Sequence, residues 1–228
     1  HYYLCFRASE SHGIEPPGDI VVLRSADLEA WETCGRMSTA GDDRDPKLLD
    51  MGDRLAVTFG TWYPRWSAGS LANEPYDLIS HVCGSHDGTS WSAPRQMWGP
   101  NYWLGRLFRD ADGVLCPAYH CPKRGGARAS RTIHLLRSTD LLDWQFVTVM
   151  RAGIDGGEPA LFQPAPGTLH CVLRAVEPGL TLGGTLAPGD DEIDVAVELA
   201  DAELGAAGLS GYNFIFCENG ATVFGYTC

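Results

Sequence analysis

The 228-residue sequence lacks several features that define common protein classes. It contains no run of about 18 apolar residues, so it predicts no membrane-spanning helix. Its eight cysteines form no CxxC pair and show no zinc-site spacing. It has neither the Gly-x-Ser-x-Gly elbow of serine hydrolases nor a phosphate-binding loop. We therefore expect no cofactor, no metal and mainly free, buried thiols, with one or two disulfides as the alternative.

Positive charge is also scarce in this chain. There are 17 basic and 29 acidic residues, which gives a formal net charge of −12. This balance argues against nucleic acid or an anionic membrane as the main partner. A small anionic ligand remains compatible with it, because a few arginines can cluster locally. The content of 44% hydrophobic and 10% aromatic residues is sufficient for a sizeable core.

One short pattern occurs three times in the sequence. It consists of a Ser, an Asp two positions later and a Trp four positions after the Asp, and it occupies residues 25–31, 85–91 and 138–144. The three serines are 60 and 53 residues apart. Asp and Ser side chains can cap backbone N–H groups in a tight turn, so we interpret the pattern as a repeated structural turn, with the Trp packed between neighbouring sheets.

Hairpin signals follow a matching spacing. Two apolar runs flank a polar turn that ends in Gly at residues 44–60, 105–120, 158–174 and 213–226. A third apolar run precedes each Ser-x-Asp turn, and a fourth begins near the Trp. Each repeat is therefore predicted to be four antiparallel strands, and a period of 53 to 61 residues indicates the blades of a β-propeller.

We accordingly predict an all-β fold in which residues 1–228 form a single β-propeller domain of about four to six blades. The chain starts at the second strand of one repeat and ends after the second strand of another. We therefore expect a propeller that is incomplete at its termini, which makes the chain a fragment. Residues 196–208 are predicted to be either a short helix or an irregular blade edge.

Propeller geometry brings the start of each innermost strand and the end of the next strand to one rim. Guanidinium groups bind carboxylates bidentately, and such a rim suits an anionic ligand. The predicted substrate-binding residues are Arg7, His12, Arg44, Arg106, His120 and Arg174. Glycoside cleavage often uses two carboxylates across the bond, so Asp45 and Glu158 are the predicted catalytic pair, and we expect them to face one cavity.

The sequence resembles the propellers of the sialidase superfamily over most of residues 2–176. The segments that carry the resemblance are YYLCFRASESH, DDRDPKLLDMGDRLAV, YWLGRLFRDADGVLCPAYH, LLRSTDLLDW and GGEPALFQPAPGTLHCVLRA. The repeated turn is similar to the Asp-box of that family, from which it departs by one residue before the Gly. The resemblance implies that three arginines bind a sugar carboxylate, drawn from Arg7, Arg44, Arg106 and Arg174.

By the same resemblance, Asp45 is the acid/base and Glu158 assists a nucleophilic Tyr. No Tyr stands in an obviously matching context, although Tyr212 and Tyr226 are candidates. RDPK with a later EP also resembles the five-bladed invertase- and arabinanase-like hydrolases. In that family the Asp of the motif stabilises the transition state and a Glu is the general acid.

Three functions follow from these features, and the partner in each is a carbohydrate or glycoconjugate. The first is an exo-acting glycoside hydrolase that binds a terminal acidic sugar through the arginine rim. The second is a carbohydrate-binding propeller without catalysis, suggested by the missing Tyr. The third is a hydrolase of neutral sugars, which predicts that the arginines pair with acidic residues instead of opening into a pocket.

Overall fold

A computed structural model describes the backbone of residues 1–11, 16–63, 77–120, 131–154, 156–165, 168–175, 180–186, 194–200, 213–218 and 221–226. Side chains are described in residues 1–11, 16–63, 78–120, 132–150 and 159–161. The chain forms two compact units. The described residues of the first lie in His1–Trp103 and Thr139–Trp144, and those of the second lie in Leu104–His120, Ala127–Ser138 and Gln145–Cys228.

The first unit contains two antiparallel sheets. A three-stranded sheet has the order β1-β2-β3, formed by Tyr2–Ala8, Asp19–Ser25 and Glu32–Met37. A four-stranded sheet has the order β4-β5-β6-β7, formed by Asp42–Asp50, Leu55–Tyr63, Asp77–Ser85 and Arg95–Gln96. The first sheet thus has one strand fewer than the second.

The second unit is also antiparallel. Strand β8 (Tyr102–Leu104) lies at the boundary of the two units. The strands that follow in the first sheet of the second unit are β9 (Phe108–Asp110), β10 (Gly113–His120), β11 (Arg131–Ser138) and β12 (Trp144–Ile154). The order β13-β14-β15-β16 describes the next sheet, formed by Gly156–Ala165, Thr168–Ala175, Leu180–Leu186 and Asp194–Ala200. A final hairpin pairs β17 (Asn213–Glu218) with β18 (Ala221–Tyr226).

Every described element is a strand, which confirms the all-β prediction. The four predicted hairpins correspond to the pairs β4–β5, β9–β10, β13–β14 and β17–β18. Residues 196–200 lie in strand β16, and residues 201–208 are outside the described chain. In the described residues, no helix is long and apolar enough to cross a bilayer. The closure of the sheets into one propeller domain stays a prediction.

The core of the first unit lies between its two sheets. It contains Ile20, Val22, Met37, Val57, Phe59 and Cys83, all of which are at most 3% exposed. The residues of this core alternate along β2 (Ile20, Val22) and β5 (Val57, Phe59), so each strand directs one face to it. Burying an aliphatic or aromatic side chain of this size contributes about 1.5–3 kcal/mol. Cys5, Cys34, Cys83 and Cys116 are free thiols, and burial raises the pKa of Cys83 to about 12.

The Ser-x-Asp turns have the predicted capping geometry. In the first turn, Ser25 Oγ accepts the N–H of Leu28 at 2.9 Å, and Asp27 Oδ1 accepts two further N–H groups at 2.9 Å. The same residue of each turn has a left-handed backbone, with φ of 69° at Leu28, 72° at Gly88 and 69° at Leu141. The backbone N–H donors hold the pKa of Asp27 and of Asp87 below the usual range.

The turn tryptophans do not all play the predicted role. Trp91 links the first two sheets, because its indole N–H donates to the Cys34 carbonyl in β3 at 3.1 Å. Trp31 is 37% exposed and donates to the Leu28 carbonyl of its own turn at 3.1 Å. The prediction of packing between sheets therefore holds for Trp91 and is wrong for Trp31.

Candidate functional site

Two of the predicted arginines meet on one buried carboxylate. Arg7 from β1 donates through Nη2 to Asp42 Oδ1 at 2.7 Å and through Nε to the same oxygen at 3.3 Å. Arg44 donates through Nε to the other oxygen, Asp42 Oδ2. The backbone N–H of Gly18 also donates to Asp42 Oδ1, at 2.7 Å. Asp42 is fully buried, whereas the side chains of Arg7 and Arg44 are 17% and 15% exposed.

Two guanidinium groups share the single carboxylate of Asp42. Arg7 Nη1 additionally donates to the Ser11 carbonyl at 2.7 Å, which fixes the plane of its guanidinium group. Guanidinium groups that are fixed and partly exposed suit an anionic ligand better than flexible lysines do.

Asp45 lies where the backbone of β4 is irregular. Its φ is 54°, which is uncommon for a residue other than Gly. The pairing of β4 with β5 shifts register between Arg44 and Lys47, so Asp45 occupies a β-bulge. Bulges re-aim side chains and are frequent next to active sites. Lys47 Nζ donates to the Asp45 carbonyl at 2.9 Å and so ties the bulge together.

A second buried carboxylate lies beside the first. Asp43 accepts the N–H of Thr39 at 2.8 Å and the hydroxyl of Thr61 at 2.6 Å. Thr61 Oγ1 also contacts His81 Nδ1 at 3.0 Å. Because the single Thr61 proton goes to Asp43, the His81 ring must donate to Thr61 when Asp43 is ionised. Burial raises the pKa of Asp43 and lowers that of His81.

The two carboxylates fix the start of β4 from opposite sides. Asp42 is bonded to Arg7 of β1 and to Gly18, which precedes β2, and Asp43 is bonded to the loop before β4 through Thr39. Successive residues of a strand point to opposite faces, which is why adjacent aspartates have separate sets of partners. The result is a rigid support for Arg44 and Asp45, the next residues along the strand.

Two aromatic side chains lie near β4, Trp62 on β5 and Trp103 on β8. Trp62 and Trp103 have ring centroids 5.9 Å apart, and Lys47 Nζ lies 5.9 Å from the Trp103 ring. Gly60, which pairs with Arg44, is in close contact with Trp103, since a Cβ there would lie 2.7 Å from the ring. The segment GTWYPRW (residues 60–66) contains aromatic residues of the kind that stack on sugar rings. Of these, Tyr63 is partly exposed and Trp62 is also partly exposed, and residues 64–66 are outside the described chain.

The second unit brings three further predicted residues to one end of a hairpin. The N–H of Arg106 donates to the Pro159 carbonyl at 3.1 Å, and Arg106 bridges Ala160 in parallel. Glu158 precedes Pro159 in β13, and Arg174 of β14 pairs with Gly157. The side chain of Arg106 is exposed and makes no ion pair with a described residue. The side chains of Glu158 and Arg174 are outside the described part of the structure.

Two predicted histidines remain. His120 ends β10 and is exposed, and its charge helps to lower the pKa of His134 after the larger effect of burial. His12 is outside the described residues. Within the described chain, no group of three His, Cys, Asp or Glu side chains is arranged to hold a metal ion. A common cavity for Asp45 and Glu158, which belong to different units, stays a prediction.

Sequence reasoning missed Asp42, Asp43, Thr61 and His81. The signal was the segment DDRDP, in which three aspartates occur within four residues. In a strand, Asp42 and Asp43 must point to opposite faces, so at least one had to be directed into the protein and needed a partner. The identity of the partners follows only from the pairing of β1, β4, β5 and β6.

Comparison with known proteins shows the fold but not the family. No protein-family model and no curated protein sequence matches the chain. Among solved structures, it is similar to a protein of unknown function from Dyadobacter fermentans DSM 18053, with a TM-score of 0.67 and 17% identity. The match covers 93% of this chain and 68% of that one.

Two sialidases are also similar to it. The Hadza microbial sialidase Hz136 matches with a TM-score of 0.62 and 18% identity, over 87% of this chain and 43% of its own. Trypanosoma rangeli sialidase, in complex with the inhibitor DANA, matches with a TM-score of 0.64 and 14% identity, over 97% and 41%. The chain therefore has a sialidase-like fold and spans about two fifths of these sialidases' length.

Proposed function

We propose that this chain belongs to an exo-acting glycoside hydrolase of the sialidase-like type, which binds a terminal acidic sugar. The observation that carries the proposal is the arginine pair held on Asp42, next to a β-bulge that presents Asp45. The sialidase-like fold supports the same class of substrate, although a fold alone does not determine a reaction.

In this proposal Arg7 and Arg44 attract the carboxylate of the sugar. Their side chains are 17% and 15% exposed, and this partial shielding from solvent strengthens an electrostatic attraction. Arg106 and Arg174 of the second unit are proposed to contact the same substrate class, and His12 and His120 to line its site. Bidentate binding of a carboxylate by a guanidinium group fixes the orientation of the sugar ring as well as its position.

Asp45 is proposed to transfer the proton to and from the leaving oxygen. The Asp45 backbone is held in an uncommon conformation, and such strain is often retained where a side chain must be aimed. Glu158 is proposed as the second carboxylate. General acid–base catalysis by one positioned group typically contributes 100- to 10,000-fold to the rate.

A second candidate is a hydrolase of neutral sugars, such as the five-bladed invertase- and arabinanase-like enzymes. One observation favours it: Arg7 and Arg44 are paired with an acidic residue, as this alternative predicts. Against it, the side chain of Arg106 is exposed and forms no ion pair with a described residue. The acidic-sugar proposal explains this feature.

The proposal is tested with a panel of 4-methylumbelliferyl glycosides that includes α-sialosides, glucuronides, arabinosides and fructosides. The proposal expects turnover of an acidic glycoside and little turnover of neutral ones. Turnover confined to neutral glycosides would establish the second candidate. Glycan binding without any turnover, unchanged in Asp45→Asn and Glu158→Gln, would instead indicate a carbohydrate-binding propeller.

A further inference from the structure

Three buried polar side chains of the first unit form a continuous hydrogen-bonded row. Asp43 of β4 pairs with Thr61 of β5, and His81 of β6 lies diagonally across from Thr61. Thr61 Oγ1 lies 2.6 Å from Asp43 Oδ1 and 3.0 Å from His81 Nδ1. Asp43 and Thr61 are fully buried, and His81 is 8% exposed. The proposed hydrolysis uses none of these three side chains.

The proton count of the row allows two arrangements that satisfy every group. The Thr61 hydroxyl has one proton, and an ionised carboxylate only accepts. With Asp43 ionised, Thr61 donates to Asp43 and accepts the Nδ1–H of His81. With Asp43 protonated, the carboxyl donates to Thr61, Thr61 donates to an unprotonated Nδ1, and neutral His81 has its proton on Nε2. The second arrangement holds one proton more than the first.

The extra proton has one other place to go, which is a His81 imidazolium facing an ionised Asp43. Burial disfavours this charged pair, because it raises the pKa of Asp43 and lowers that of His81. Hydrogen bonds from Thr61 and Thr39 act against the rise at Asp43, and a hydrogen bond to the Ile79 carbonyl acts against the fall at His81. In both groups burial has the larger effect, so the neutral arrangement is favoured.

The other titratable groups around the row do not reverse this preference. The carboxyl end faces Asp19 of β2, which raises its pKa further and is itself paired with Arg36 at 2.5 Å. The imidazole end shares a face of β6 with the thiol of Cys83, whose pKa of about 12 keeps it neutral. The ring of Tyr63 meets the edge of the imidazole. Asp42 belongs to the opposite face of β4.

We propose that Asp43, Thr61 and His81 form a proton-coupled switch at the start of β4. On acidification, His81 Nε2 gains a proton, the Nδ1–H bond breaks as its proton passes to Thr61 Oγ1, and the former Thr61 proton passes to Asp43 Oδ1. One proton is taken up, and both ends of the row are then neutral. The inference goes beyond the proposed glycosidase function and does not depend on it.

The switch acts on the anchoring of β4. Ionised Asp43 accepts the N–H of Thr39 at 2.8 Å and the Thr39 hydroxyl at 2.8 Å, which hold the loop before β4. Hydrogen bonds to an ionised acceptor are roughly twice as strong as neutral ones. Protonation of Asp43 therefore loosens the strand directly before Arg44, so the support of the arginine site becomes sensitive to acid.

The test is an NMR titration of isotope-labelled protein from about pH 8 to about pH 4, a range that spans the ordinary pKa values of histidine and aspartate. It follows the two ring nitrogens of His81 and the carboxyl carbon of Asp43. At the alkaline end we expect the ring proton on Nδ1. On acidification the proton should appear on Nε2 and leave Nδ1, with the same midpoint as the protonation of Asp43.

Three variants separate the switch from simple packing. Thr61→Val removes the connecting hydroxyl, so His81 should become an imidazolium at a midpoint of its own. Thr61→Ser keeps the hydroxyl and should retain the common midpoint. Thr39→Val is the matched control, because it also removes a hydroxyl that donates to Asp43 but makes no link to His81. It should move the midpoint and leave the two groups titrating together.

Four results would overturn the proposal. The first is a ring proton on Nε2 at the alkaline end in the unaltered protein. The second is an imidazolium that forms while Asp43 is still ionised, and the third is a Thr61→Val variant that titrates as the unaltered protein does. The fourth is acid unfolding that precedes any change at Asp43 or His81.

Discussion

Replacement of Asp42 by Asn tests the charged cluster at the centre of the candidate site. Asp42 accepts from Arg7, Arg44 and the N–H of Gly18. An Asn side chain has a similar shape, but it has one acceptor oxygen and directs an NH₂ group at the former donors. The two largely buried guanidinium groups then lose the carboxylate that they share.

The expected cost is large for a change of so few atoms. Removing one partner from a buried ion pair typically costs about 3–5 kcal/mol, because the remaining charge is uncompensated. The arginines keep 17% and 15% exposure, which lets water screen part of the charge. We therefore expect Asp42→Asn to lower the free energy of unfolding by about 3 kcal/mol.

The chain offers a matched control in Asp19→Asn. Asp19 also pairs with an arginine, Arg36, at 2.5 Å, but the two side chains are 29% and 61% exposed. An exposed pair of this kind contributes about 0–1 kcal/mol. Both variants are measured by urea unfolding with tryptophan fluorescence, extrapolated to zero denaturant. If Asp42→Asn costs no more than Asp19→Asn, the cluster does not hold this part of the fold and the reasoning fails.

Three further predictions concern stability. Thr61→Val removes the link between Asp43 and His81 and should lower the free energy of unfolding by about 1–3 kcal/mol. Thr58→Val is the control and should be neutral or stabilising, because Thr58 Oγ1 is buried without a partner among the described residues. Equal costs of the two variants in urea unfolding would refute this prediction. Gly88→Ala should destabilise the protein, because φ at Gly88 is 72° and a Cβ there would lie 2.0 Å from the Tyr3 hydroxyl. Leu28→Gly, at a φ of 69°, should change the stability by no more than about 1 kcal/mol. Thermal unfolding of both variants checks this prediction. Burial lowers the pKa of His81 in the folded protein, so below the ordinary histidine pKa of about 6.5 the unfolded state binds more protons than the folded state. The protein should therefore lose stability from pH 7 to pH 5, and His81→Gln should lose less. Parallel profiles of unfolding free energy against pH for the two proteins would contradict this.

The repeated parts of the fold were predictable because they depend on local chemistry. The Ser-x-Asp turns need only their own side chains to cap their own N–H groups, as Ser25 and Asp27 do. The hairpins around Gly52 and Gly113 also depend on local conformation, since both glycines have positive φ. Residues 196–200 were less clear, because an alternating segment rich in Ala, Glu and Leu has helix-forming residues in a strand pattern.

The candidate site was predictable only in part because it depends on contacts between distant strands. Arg7 and Arg44 were selected by their positions in the repeat, yet Asp42, which holds both, was overlooked. The bond from Arg7 to Asp42 joins β1 to β4, and the sequence does not indicate which carboxylate a guanidinium group will meet. The same applies to Thr61 and His81, whose contact requires the register of β5 against β6.

The rate of hydrolysis of a 4-methylumbelliferyl α-sialoside by the protein and by Asp45→Asn tests the central claim most directly. Loss of a positioned acid/base should reduce kcat by about 100-fold or more, while the free energy of unfolding changes by less than about 1 kcal/mol. The account predicts measurable turnover by the unaltered protein and its loss in Asp45→Asn. Full activity of a folded Asp45→Asn variant, or no turnover of any acidic glycoside, would contradict it.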